Sequence, residues 1–224
     1  MSVDVQRQSF FGRYLDPASR LGEILFGLIM VLTATLTAGL TVAEGEAGVR
    51  QLLTTAVGCN IAWGIIDGVM YIMNCLTERS GRARLVQAVK AAPDPTAALR
   101  MVSRAVESEY GALSGPEGEA IYKAILTHLI RARPARTRIL KEDLYGAVAC
   151  FWLVFLSCLP AAAPFLIFSN PTLALRVSNL LLIVMLFVVG QKWAEYAQAN
   201  RLAAGLAMVV MGLALVGTAV MLGG

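Results

Sequence analysis

Five runs of apolar residues limit what this chain can fold into: roughly 21–43, 51–75, 145–169, 174–191 and 202–222. Each is near the ~20 residues a helix needs to cross a bilayer. In hydrocarbon a segment must satisfy its own backbone N–H and C=O groups, so runs of this kind become helices. Composition agrees, with 57% hydrophobic residues, 15% charged residues and a mean hydropathy of +0.66, against about 25% charged in ordinary soluble domains. The chain therefore reads as an all-α integral membrane protein with five transmembrane helices.

The charged residues collect outside these runs and divide the chain. Residues 1–20 contain "RQSFFGRYLDPASR", which sets Phe10, Phe11, Tyr14 and Leu15 among arginines and predicts a short interfacial helix. Asp16-Pro17 then supplies an N-cap and a first-turn proline for the first membrane helix. Residues 21–75 carry membrane helices one and two, 76–143 a polar block, and 144–224 the last three helices. The block has helical spacing in "RARLVQAVKAA", a break at "PDP", an Asp94 cap before Pro95, and a capping-box pattern at Ser114 and Glu117. Pro134 ends the helix that follows. A small helical cytoplasmic domain between helices two and three is the expectation.

Orientation follows from the basic residues. Of the 19 Lys and Arg, only Arg50 and Arg176 fall on the side opposite the amino terminus and the polar block. The amino terminus and residues 76–143 are therefore expected in the cytoplasm and the carboxyl terminus outside, in a bacterial inner membrane. No cleavable signal peptide is expected, because some twenty mixed residues precede the first run. Trp193 and Tyr196, past the fourth run, read as interfacial anchors. The net charge of +4 and 8% aromatic content carry no base-stacking pattern, so anionic lipid suits the chain as a partner and nucleic acid does not.

Ionisable groups inside the runs carry the functional signal, since such groups are expensive in a membrane. Asp67 lies in "WGIIDGVMYIMN" and Glu23 in "RLGEILFGLIMVL". Asn60, Asp67 and Asn74 recur every seven residues, close to two helical turns, and form a polar stripe with Gly64 and Tyr71 beside it. Its asparagines can equally serve interhelical hydrogen bonds. Glu23 sits where Arg20 can pair with it, and Met30, Thr33, Thr35, Thr37 and Thr41 follow. Carboxylates beside a thioether suit borderline divalent ions such as Fe²⁺ or Mn²⁺, and Met30, Met70 and Met73 are candidate soft ligands that can also be packing. Pro160 and Pro164 can free backbone carbonyls in the third run or simply kink it. Ser178 or Asn179 can reach the bundle interior, and Gly205, Gly212 and Gly217 allow close helix contact within the chain or between subunits.

Outside the runs, Glu107, Glu109, Glu117 and Glu119 flank a glycine-containing turn, where they can bind a hard divalent cation or stand solvated. His128 reads as an ordinary surface or core residue. Cys59, Cys75, Cys150 and Cys158 form no CxxC pair and read as small buried apolar residues. No nucleotide-binding loop, nucleophile elbow or HExxH occurs, so no enzyme and no permanently bound cofactor is expected.

With "DPASRLGEILFGLIMVLTATL" and "GCNIAWGIIDGVMYIMNCLTER" in this arrangement, the chain resembles the vacuolar iron transporter family, in a divergent bacterial form. The resemblance implies dimers that export Fe²⁺ or Mn²⁺ from the cytosol in exchange for protons. The family's first-helix Asp-Gly pair is replaced here by Phe26-Gly27, while Asp67-Gly68 carries such a pair in the second helix. The glutamate pairs 107/109 and 117/119 are two residues apart, a spacing that does not share a helix face. The expected transport pathway comprises Asp67, Glu23, Asn60, Asn74, Met30, Met70 and Tyr71, with Asp67, Glu23 and the four glutamates as metal ligands. An oligomeric cation channel, or a non-transporting scaffold with a basic cytoplasmic domain, are the alternatives.

Overall fold

The structure is a computed structural model. It describes residues 10–41, 45–133 and 137–221, without the side chains of 37–41, 45–47, 49, 50, 52, 219 and 220. Arg7, Pro134 and the side chains of Thr37 and Thr41 lie outside the described residues.

Nine helices occupy the described residues, with no strand among them: α1 Phe10–Tyr14, α2 Pro17–Thr41, α3 Gly45–Lys90, α4 Pro95–Tyr110, α5 Gly115–Arg131, α6 Lys141–Ser157, α7 Leu159–Ile167, α8 Pro171–Ala197 and α9 Arg201–Met221. Five helical segments are long and apolar enough to cross a membrane: Pro17–Leu36, Leu53–Lys90, Lys141–Ile167, Pro171–Ala197 and Arg201–Thr218. The chain divides into two compact units, one from Met1–Tyr71 and Lys141–Gly224, the other Ile72–Leu140.

In the first unit, Leu28, Val31 and Leu32 of α2 pack with Cys158 and Ala161, with Leu182, Leu186 and Val189 of α8, and with Val216 of α9. Small residues set the helix spacing. A Cβ at Gly190 would stand 2.6 Å from the carbonyl oxygen of Ala204 and 2.8 Å from Cα of Gly205, so α8 and α9 touch backbone to backbone. Gly205 lies under Phe187 and Gly212 under Leu186, which makes that glycine face intramolecular; Gly217 faces open space.

Asp16 caps α2 as its sequence predicts, accepting from the N–H groups of Ala18 and Ser19 at 2.9 and 3.0 Å. Its hydrogen bond from the Ser19 hydroxyl holds the carboxyl below the usual range. That contribution to stability is present above the unfolded-state value and is lost as pH falls through the lower folded one.

Two elements depart from the sequence reading. The helix of the second apolar run does not end near Cys75, because α3 continues unbroken to Lys90. Nothing between 76 and 90 can stop it: there is no proline, Gly81 alone costs only about 1 kcal/mol, and Glu78 pairs with Arg82 one turn on at 3.6 Å. The third run, conversely, is broken into α6 and α7 at Cys158. Pro160 has no N–H to continue the ladder and disfavours helix just before it. The Cys158 N–H accordingly turns to the Phe155 carbonyl at 3.2 Å instead of that of Val154.

In the second unit Val89, Ala98 and Val102 form a core with Leu85, Met101, Ile125 and Leu129 against it. Asp94 caps α4 through the Ala97 N–H at 2.7 Å. Ser114 stands at the N-cap of α5 but makes no side-chain cap bond, so the capping box is not formed.

Candidate functional site

The two membrane carboxyls meet. Glu23 of α2 interacts with both the carboxyl of Asp67 on α3 and the thiol of Cys150 on α6. Close helix contact creates the meeting. Gly64 lies three residues before Asp67 on α3 and Gly68 directly after it, and Cβ atoms there would stand 3.1 Å from the carbonyl oxygen of Phe151 and 3.0 Å from that of Ala147. Such four-residue spacing of glycines lets backbones approach closely. The approach places Cys150, which lies between Ala147 and Phe151 on α6 and is fully buried, beside Asp67. On α2, Gly27 abuts Ser157 and the carbonyl oxygen of Val154, which holds Glu23 one turn earlier against the same helix.

A hydrogen bond between two carboxyls requires that one of them carry the proton. Two carboxyls that share a site disfavour carrying two negative charges at once. The second oxygen of Asp67, Oδ2, is buried without a hydrogen-bond partner, and an unmade bond of this kind typically costs about 1–3 kcal/mol.

Asn60, two turns along α3, is completely buried and donates from Nδ2 to the Val154 carbonyl at 3.4 Å. That carbonyl is the one the Cys158 N–H leaves at the break between α6 and α7, and the Ser157 hydroxyl also donates to it at 2.6 Å. Asn60 Oδ1 has no hydrogen-bond partner, and the Cys158 thiol lies against the same side chain. Ser178 donates to the Ala161 carbonyl at 2.8 Å, and Asn179 Oδ1 is likewise buried and unpartnered. Tyr71 packs on Gly146, and its hydroxyl donates to the Tyr14 carbonyl at 3.0 Å. Leu15 and Phe11 close over Cys150 from the same side.

Several predicted members stand elsewhere. Arg20 does not serve Glu23, because its Nε is buried without a partner on another wall of α2. Met70 and Met73 are 52% and 59% exposed and Asn74 is exposed, whereas Asn60 is fully buried. A straight helix drifts about 20° per heptad, which carries a seven-residue stripe off its face. Met30 and Thr35 are on α2, where the Thr35 hydroxyl bonds the Val31 carbonyl at 3.0 Å and is not turned to the acids. In the second unit Glu107, Glu109, Glu117 and Glu119 are all exposed. Glu107 accepts from the Tyr122 hydroxyl at 3.2 Å. Glu119 pairs with Lys123 at 2.7 Å, whose hydrogen bond and charge hold its carboxyl below the usual range. His128 is exposed. Among the described residues no three His, Cys, Asp or Glu side chains form a group that could hold a metal ion.

Cys150 is the member that sequence reasoning missed. A lone cysteine in an apolar run carries no pattern, and only its spacing of three and four residues from Ala147 and Val154 hints that it shares their face.

Fold and site together define an all-helical protein whose five long apolar helices fit a membrane location, with two neighbouring carboxyls, Glu23 and Asp67, among them. No protein-family model matches the chain and no curated protein matches it.

Proposed function

We propose that this protein is a proton-coupled carrier of divalent cations, with Fe²⁺ or Mn²⁺ as cargo and Glu23 and Asp67 as the exchange site. The single observation behind this reading is that the two carboxyls meet as neighbours on α2 and α3. Paired carboxyls bind a proton in one state; on releasing it they offer two anionic oxygens, the charge a divalent cation needs. The arrangement described above is then the proton-loaded state, in which a metal group is not assembled. Cys150 would add sulfur to the two oxygens, a donor set that suits borderline ions better than Ca²⁺.

The resemblance to the vacuolar iron transporters points the same way and suggests export from the cytosol by a dimer. Basic residues favour an amino terminus and a 76–143 segment on the cytoplasmic side of a bacterial inner membrane. The exposed glutamates of that segment play no metal-holding part in this reading.

Purified protein in liposomes enclosing a pH-sensitive dye tests it, with Fe²⁺ and Mn²⁺ compared against Ca²⁺ and K⁺. Divalent entry with opposing proton movement is the expected result. Glu23→Gln is expected to keep the fold and lower coupled flux at least about tenfold, equivalent to about 1.4 kcal/mol, because one fixed proton replaces an exchangeable one. Wild-type flux in that variant, or no flux of any ion in the native protein, would overturn the reading.

A further inference from the structure

A second polar feature lies away from the carboxyl pair and is not used by it. A cavity of about 240 Å³ opens where the start of α2 meets the end of α8, lined by Arg20, Lys192 and Tyr196 together with the apolar side chains of Phe11, Ile24 and Leu153. We infer that this cavity binds an anionic membrane phospholipid, its phosphate on Arg20 and Lys192 and the start of an acyl chain along Ile24 and Leu153.

Three observations carry this. Arg20 Nε is buried with no hydrogen-bond partner, although a guanidinium is a fixed fork of donors suited to phosphate oxygens. Local acids do not cancel the charge: Lys192 and Arg201 share the single carboxylate of Glu195, at 3.0 and 3.6 Å. Finally, the cations sit at helix ends beside Trp193 and Tyr196, which are 41% and 55% exposed, in the manner of side chains that lie at headgroup level. A free phosphate would satisfy the cations but leave the apolar lining residues bare, whereas a phospholipid covers both. This site stands independently of the transport reading.

The test is lipid retention by the full-length protein, followed by native mass spectrometry and by thermal unfolding in detergent. Phosphatidylglycerol, phosphatidylcholine and inorganic phosphate are the probes. Phosphatidylglycerol should be retained and should raise the unfolding temperature, with neither effect from phosphatidylcholine or inorganic phosphate. Arg20→Gln and Lys192→Gln should each weaken retention about fivefold, from the usual contribution of one basic residue near an anionic headgroup. Lys192 is 58% exposed, so Lys192→Glu offers a charge reversal that leaves the fold intact and should weaken retention further. Equal retention of the two lipids, retention unchanged in Lys192→Glu, or a full shift from inorganic phosphate alone would each overturn the assignment.

Discussion

Asp67→Asn should abolish proton-coupled cation flux, lowering it at least about a hundredfold, while the protein remains folded. Asparagine has nearly the shape of aspartate, so Gly64 and Gly68 still pack on Phe151 and Ala147. Its amide carbonyl can still accept a hydrogen bond from a protonated Glu23. What disappears is the second ionisable group. The pair then can never hold the two negative charges that would balance a divalent ion, and the proton on Glu23 has no competing base. Asp67→Ala makes a useful contrast. It removes the partner of Glu23 altogether, so it should also lower stability by about 1–3 kcal/mol. Flux assays and thermal unfolding of the two variants separate the roles. Coupled flux surviving in Asp67→Asn would mean that Asp67 is only a buried hydrogen-bonding residue.

The largest structural effect is expected at Gly190. Gly190→Leu puts a branched side chain where even a Cβ would stand 2.6 Å from the Ala204 carbonyl oxygen and 2.8 Å from Cα of Gly205. Both obstacles are backbone atoms of α9, so no rotamer change relieves them. The helices must separate, and in a membrane their association rests on this close packing. A loss of about 3 kcal/mol is expected, at the upper end of overpacked sites. Thermal unfolding in detergent checks it, with Gly217→Leu as control, since a Cβ at Gly217 meets nothing within 4 Å. An unchanged transition in Gly190→Leu would show that α8 and α9 do not touch there.

Helix positions were legible wherever one run of apolar residues equals one span. They failed where the signal was a continuation or an interruption. Polarity beyond Cys75 looks like the end of a membrane helix, yet residues that leave an apolar medium can stay helical, and α3 runs on to Lys90. Pro160 was visible as a possible kink. That the Val154 carbonyl, left by the Cys158 N–H at the break, would accept from Asn60 was not, because that partner lies 94 positions away in the chain.

The site shows the same division. Asp67 and Glu23 stand out individually because charge in an apolar run is costly. Their meeting is tertiary, and local spacing instead suggested Arg20 as the partner of Glu23. The glycines of "GIIDG" carried the missing information, since Gly64 and Gly68 are what bring α6 and Cys150 up to Asp67. The exposed glutamates of the second unit illustrate the converse: acids close in sequence around a turn need not converge in space.

The most direct test of the central claim, that Glu23 and Asp67 share a proton which a divalent cation displaces, is the infrared spectrum of the purified protein at neutral pH, with and without saturating Mn²⁺. The account predicts a protonated-carboxyl band in the wild type that fades when Mn²⁺ is added and is missing from the Glu23→Gln/Asp67→Asn double variant. A wild-type spectrum without that band, or a band that the double variant retains, would contradict it.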